Sequence, residues 1–240
     1  MTSPLSPDLM GVGECDSASV VSLHHAIRSP LDDDRGLRPI APGLSLSAQL
    51  RMQTAPSHKR VEILLGLPGA IHTQDEYSVW LARFLGLYDP IERSLATFSQ
   101  WEALGIVPPP HRHTDCLADD LVALGVGPGA APRAPPAMQP DLPTFAHALG
   151  ALYVLEGSTL GSRFILRDLE TRIGAQIAGA TRFLGGRGEA VGPMWQSFKA
   201  ALDSFGHENA DLCADVVTGA KRVFRAILAW FQPLAARTEP

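Results

Sequence analysis

From about residue 45 onward the hydrophobic positions of this chain recur at spacings of three and four, and nowhere do they alternate over a run of real length. The first segment predicts a helix from Ser47 to about Leu65, with Leu50, Thr54, His58, Val61 and Leu65 along one face. Pro56 lies inside it and removes one helical hydrogen bond, so a bend or a restart is expected there. Thr73-Gln74-Asp75-Glu76 has the form of a capping box, and Tyr77, Trp80, Leu81, Phe84 and Tyr88 follow as a core stripe of helical period. Pro90 interrupts that stripe before Ile91, Leu95 and Phe98 continue it. A shorter helix is expected from Thr114 to Leu124, closed by Gly125. A long helix follows from Thr144 to about Ile173, then one from Pro193 to Phe205 and a last from about Asn209 to Gln232. The predicted fold is all-α, a single domain of six or more helices spanning residues 45–240.

Two segments fall outside this pattern. Residues 1–44 are rich in Ser, Pro, Asp and Gly and include Asp32-Asp33-Asp34-Arg35, so a disordered N-terminal tail is expected. His24-His25 in that tail reads as a solvated pair. Residues 126–143 hold six prolines and predict an exposed, mobile loop. Together the two segments account for many of the 20 prolines, which would otherwise be too many for a helical protein.

Charge and cysteine usage narrow the function classes. A net charge of −5 argues against nucleic acid as a partner, since such binders need a basic face. No stretch approaches the length of a membrane span, and no membrane partner is expected. Cys15, Cys116 and Cys213 are scattered, without the spacing of a disulfide framework or a zinc site, so a reducing cytoplasm is the simplest compartment. No signal peptide is read at the N-terminus.

Three features could carry chemistry. His58 and Glu62 are neighbours at i and i+4 on the first helix. A carboxylate that takes the proton of one ring nitrogen leaves the other free for a metal; the plainer reading is a satisfied core histidine. Glu156-Gly157-Ser158-Thr159-Leu160-Gly161-Ser162 lies inside the long helix. Each glycine there costs about 0.5–1 kcal/mol relative to alanine. Either something flat approaches that backbone, or another helix packs closely against it. Third, Arg51, Lys59, Arg60, Arg163, Arg167, Lys199, Arg222 and Arg225 lie near these faces and offer partners for an anionic ligand. The chain lacks GxSxG, a P-loop, GxGxxG after a strand, HExxH and repeated ExxH pairs. One histidine opposite a glycine-containing helix fits a flat cofactor with a single axial ligand, of which haem is the obvious candidate.

Leu50-Arg51-x-x-Thr54-x-x-x-His58-x-x-Val61-Glu62 resembles the proximal-helix motif of haem oxygenases. Ala151-Leu152-Tyr153-Val154-Leu155-Glu156-Gly157-Ser158-Thr159-Leu160-Gly161 resembles the distal helix of the bacterial, biliverdin-producing branch, which includes bacteriophytochrome-associated enzymes. The resemblance covers roughly residues 45–235 and implies haem held between a proximal and a glycine-containing distal helix. It makes His58 the iron ligand and Glu62 the acceptor of its other ring proton. Gly157 and Gly161 would let the distal backbone lie over the haem face, and Ser158 would help to hold a water network there. The implied activity is oxidative cleavage of haem to biliverdin, carbon monoxide and ferrous iron, an oxidoreductase reaction using O2. Electrons would come from a separate ferredoxin- or flavodoxin-type reductase system, and a bacteriophytochrome would be a candidate recipient of biliverdin. The runner-up is a haem-binding protein for transport or storage without turnover. A third reading is a helical domain of this fold that binds something else, as thiaminase-related proteins do.

Overall fold

The computed structural model describes residues 43–67, 69–106, 112–127 and 129–235. The tail expected over residues 1–44 therefore lies almost wholly outside the described residues. Among them are seven α-helices and no strand: α1 (Leu46–Leu65), α2 (Gln74–Leu95), α3 (Arg112–Ala123), α4 (Phe145–Ile173), α5 (Arg182–Gly185), α6 (Val191–Glu208) and α7 (Cys213–Ala235). The all-α prediction holds, and most helix boundaries fall within a few residues of the expected ones. Short α5 was missed because Gly185-Gly186 reads as a loop.

Local chemistry explains where the helices start. Ser45 caps α1, its side chain accepting from the Ala48 N–H, and Gly66 closes the helix at φ 60°. Thr73 and Glu76 form the expected capping box of α2, while Thr144 caps α4. Carboxylates from other helices serve three N-termini, adding to the cap of α1 and supplying those of α3 and α5. Asp203 of α6 accepts from the Ser47 N–H at 2.7 Å. Glu92 of α2 accepts from the N–H groups of His113 at 3.0 Å and Thr114 at 3.2 Å at the start of α3. Asp120 of α3 accepts from Arg182 and Phe183 N–H, both at 2.8 Å, at the start of α5. Each puts negative charge at the positive end of a helix dipole.

Neither Pro56 nor Pro90 breaks its helix: α1 runs through the first and α2 through the second. Pro56 is exposed, so the carbonyl that loses its donor can turn to water. The aromatic stripe of α2 is core, as expected; Trp80, Phe84 and Tyr88 pack against Phe183, and Phe84 also meets Phe231.

The C-terminal helix α7 organises the site, packing against both α1 and α4. Its approach to α4 is close because two glycines permit it. A Cβ on Gly150 would stand 1.8 Å from the Val216 carbonyl oxygen, and one on Gly219 would stand 2.0 Å from that of His147. The Pro-rich loop departs from expectation. It is docked on α2, with Ala134 and Leu142 buried and the Ala134 N–H donating to the Gly86 carbonyl at 3.0 Å. Gly86 makes this possible, since a Cβ there would lie 1.8 Å from the Pro132 carbonyl oxygen.

Candidate functional site

The first half of α1 is buried through Leu46, Gln49, Leu50, Gln53, Thr54 and Ser57. Burial stops there. His58 was placed on the inward stripe with Leu50 and Thr54, but its side chain is 60% exposed and that of Glu62 50%. The pairing itself forms as the spacing requires, with His58 Nδ1 3.4 Å from Glu62 Oε1. Glu62 also takes Lys59 Nζ on its second oxygen at 3.4 Å. With Nδ1 turned to the carboxylate, Nε2 is the nitrogen left for a metal. The ring is supported from α7, where buried Phe224 meets it edge-on at 6.1 Å between centroids.

On α4 the question was whether Gly157 and Gly161 serve helix packing or an approaching ligand. Close packing of α4 is done elsewhere, at Gly150. A Cβ on Gly161 would meet nothing within 4 Å. One on Gly157 would meet only the indole edge of Trp195 at 3.5 Å, an ordinary van der Waals distance. The same stripe carries Leu160 and Phe164, both exposed, Phe164 by 70%. An exposed phenylalanine beside a bare glycine marks an apolar surface with room for a flat group.

The two helices approach each other one turn before each motif. Thr54, four residues before His58, lies near Tyr153, four residues before Gly157, and its own hydroxyl donates to the Leu50 carbonyl at 2.7 Å. Burial and these neighbours set Tyr153: desolvation raises its pKa, while Thr54 and the charge of Arg51 pull the other way. Beyond this junction α1 continues into exposed His58 and Glu62, and α4 into exposed Ser158 and Gly161.

Ser158 and Ser162 bond preceding carbonyls of their own helix, Ser158 donating to Leu155 O at 2.7 Å and Ser162 to Ser158 O at 3.1 Å. Tyr88 of α2 lies close to Ser158. Tyr88 is buried, and desolvation pushes its pKa up to about 12 against the opposing influence of Ser158, so it remains a neutral phenol. Its ring lies 5.8 Å from that of His113, whose Nδ1 is 2.9 Å from Glu92 Oε1. Glu92 is fully buried. Burial alone would raise its pKa, but hydrogen bonds from His113 and Thr114 hold it below the usual carboxylate range. Tyr88 was read as core stripe, and nothing in its spacing revealed a polar neighbour on α4.

A second pair of charges fixes the start of the glycine segment. Glu156 Oε1 is 3.0 Å from Arg187 Nη2, both largely buried, tying α4 to the turn before α6. Among the basic residues noted in the sequence, Lys59 pairs with Glu62 and Arg222 with Asp141. Arg163 and Arg167 line a cavity of about 250 Å3 with Leu166, Glu170, Gly185 and Gly188.

Among the described residues no group of three or more His, Cys, Asp or Glu side chains could hold a metal ion. Among the described residues, no helix is long and apolar enough to cross a membrane.

Comparison with known proteins identifies the fold and the family. No curated protein matches the chain. A solved structure of heme oxygenase from Neisseria meningitidis, determined with NO and CO bound, shares 18% identity and superposes with a TM-score of 0.67. The match covers 80% of this chain and 93% of that one, which establishes a shared fold. The family model described as heme oxygenase matches residues 44–233, a span that takes in α1, α4 and nearly all of α7. The chain belongs to the haem oxygenase family.

Proposed function

We propose that this protein cleaves haem oxidatively to biliverdin, carbon monoxide and ferrous iron, using O2 and electrons from an external donor. The observation that carries the reading is the open imidazole on α1 and the open glycine stripe on α4, two helices that come near each other one turn earlier at Thr54 and Tyr153. Haem, the substrate, supplies the oxidative chemistry when bound; the chain's own residues bind, orient and control protons around it.

In this reading His58 ligates the iron through Nε2. Glu62 accepts the Nδ1 proton, fixing the tautomer and making the ligating nitrogen more basic. Gly161 lets the α4 backbone lie against the ligand face, where a side chain would hold it off, and Gly157 continues that face up to the edge of the Trp195 indole. Ser158 orders water on that side, with the neutral Tyr88 phenol close behind it. Phe224 holds the imidazole plane from below α1. A ferredoxin- or flavodoxin-type protein in the cytoplasm is the donor this chemistry calls for, and a bacteriophytochrome is the candidate recipient of biliverdin.

The test is hemin titration followed by reduction. A Soret band should form and then decay under ascorbate or a reductase in air, with biliverdin recovered by chromatography and carbon monoxide released. A well-formed complex in which haem stays intact through reduction would sink the enzyme reading and leave a carrier.

A further inference from the structure

Gly157 and Gly161 are one turn apart on one stripe, yet their surroundings differ. Gly161 is bare, whereas Gly157 has the Cη2 and Cζ3 edge of the Trp195 indole at 3.5 and 3.8 Å from its Cβ position. Trp195 comes from α6, and its ring is fixed from two sides. Tyr153 lies at 5.4 Å between centroids and Phe198 at 5.8 Å, and Tyr153 itself lies near Thr54 of α1. Glu156 and Arg187 further anchor the turn leading into α6 against α4. The indole is thus a rigid, braced obstacle at one end of an otherwise open stripe. A planar ligand lying along that stripe has free space toward Gly161 and Phe164 and a fixed edge toward Gly157.

A macrocycle with unlike substituents around its rim does not meet such an edge equally well in every in-plane rotation. The rotation that puts its flattest apolar rim against the indole is preferred, while one that puts a charged rim group there loses its water without a partner. The rotation in turn decides which rim carbon lies over the open, Gly161 side. We propose that Trp195 is a specificity-determining residue that selects the in-plane seating of the haem, and through it the biliverdin isomer released. This rests on the haem oxygenase reading above, and its test separates the two.

The full-length protein and its Trp195→Phe and Trp195→Ala variants are loaded with hemin. Seating is read from the haem methyl resonances in the proton NMR spectrum of the ferric cyanide complex, which needs no turnover. Isomers are read by chromatography after reduction. Loss of one aromatic contact predicts about a tenfold change in the ratio of the two main seatings for Trp195→Ala, with a matching change in isomer ratio. Trp195→Phe, which keeps a smaller ring in place, should fall between the wild type and Trp195→Ala. A purely structural role for Trp195 would change stability or overall affinity and leave the ratio alone. An unchanged ratio in variants that bind hemin overturns this proposal while leaving the haem oxygenase reading intact. If Trp195→Ala does not fold, Trp195→Phe decides by the same ratio. Failure of the wild type to form a Soret complex overturns both readings.

Discussion

Alanine in place of glycine at two positions of the same helix should give opposite results. At Gly150 the new Cβ would sit 1.8 Å from the Val216 carbonyl oxygen, far inside the 3.0 Å that real Cβ contacts essentially never cross. The obstacle is backbone of α7, so no side chain can turn aside, and the two helices must separate. Overpacking of this kind costs about 1–3 kcal/mol, and an obstacle made of backbone places it at the upper end. The gain in helix propensity returns only about 1 kcal/mol. A net loss near 2 kcal/mol should lower the Tm by roughly 4–8 °C for a domain of this size. At Gly161 the same Cβ meets nothing within 4 Å, so Gly161→Ala should stabilise the unliganded protein by about 0.5–1 kcal/mol. It also puts a methyl group into the space assigned to the haem face and should weaken hemin binding by about tenfold or more, the equivalent of a modest steric penalty. Urea denaturation without ligand gives the first pair of numbers and hemin titration the second. A Gly161→Ala protein that is more stable yet binds and turns over hemin as the wild type does would refute the ligand role of that glycine.

The remaining predictions concern the iron ligand and the buried carboxylate. His58→Ala should abolish low-spin ligation and most turnover, with exogenous imidazole restoring the spectrum; retention of the wild-type Soret band would show that the ligand lies elsewhere. Glu62→Gln should weaken binding or activity by about tenfold, the low end for the partner of a metal-binding histidine, because the pair is half exposed. Glu92→Gln should destabilise the fold by about 3 kcal/mol at neutral pH, since an amide cannot accept all the donors that converge on the buried carboxylate. Because the folded-state pKa of Glu92 is lowered, its contribution is present above the unfolded value near 4.3 and fades as pH falls through the folded one. The gap between wild type and Glu92→Gln, followed by urea denaturation against pH, should therefore narrow below about pH 4; a constant gap would show that its charge is not what matters.

Much of the architecture could be read from the chain because the signals were local. The Thr73–Glu76 capping box, the Thr144 cap and the apolar period of each long helix are written within a turn or two of sequence. What could not be read depended on neighbours distant in sequence. Gly150 and Gly219 are ordinary glycines until α4 and α7 are placed side by side, whereas Gly157 and Gly161 drew notice through their motif. The Pro-rich loop looked free because nothing in it shows that Gly86 opens a seat for Pro132 on α2. The i, i+4 spacing of His58 and Glu62 correctly placed them together, but the stripe overestimated the burial of His58. A helical period marks a face without saying where along it the neighbouring helix ends. Trp195 carried no signal of its own, since an aromatic residue near the start of a helix is unremarkable until its edge is seen against Gly157.

The carboxylates that cap foreign helices bear on how the chain assembles. The N-terminus of α1 is completed by Asp203, 156 residues further along. Closing so large a loop is slow, and α1 with a proline in its middle has little helicity to offer in isolation. The helix that bears His58 should accordingly be among the last to consolidate, after α6 and α7 have formed the surface it docks on. On the ribosome α1 emerges before α6 and α7 and must wait for them to find its cap and its bed. Hemin that coordinates His58 would then join the chain as a late folding partner, and the apo-protein should be most vulnerable to proteases at α1.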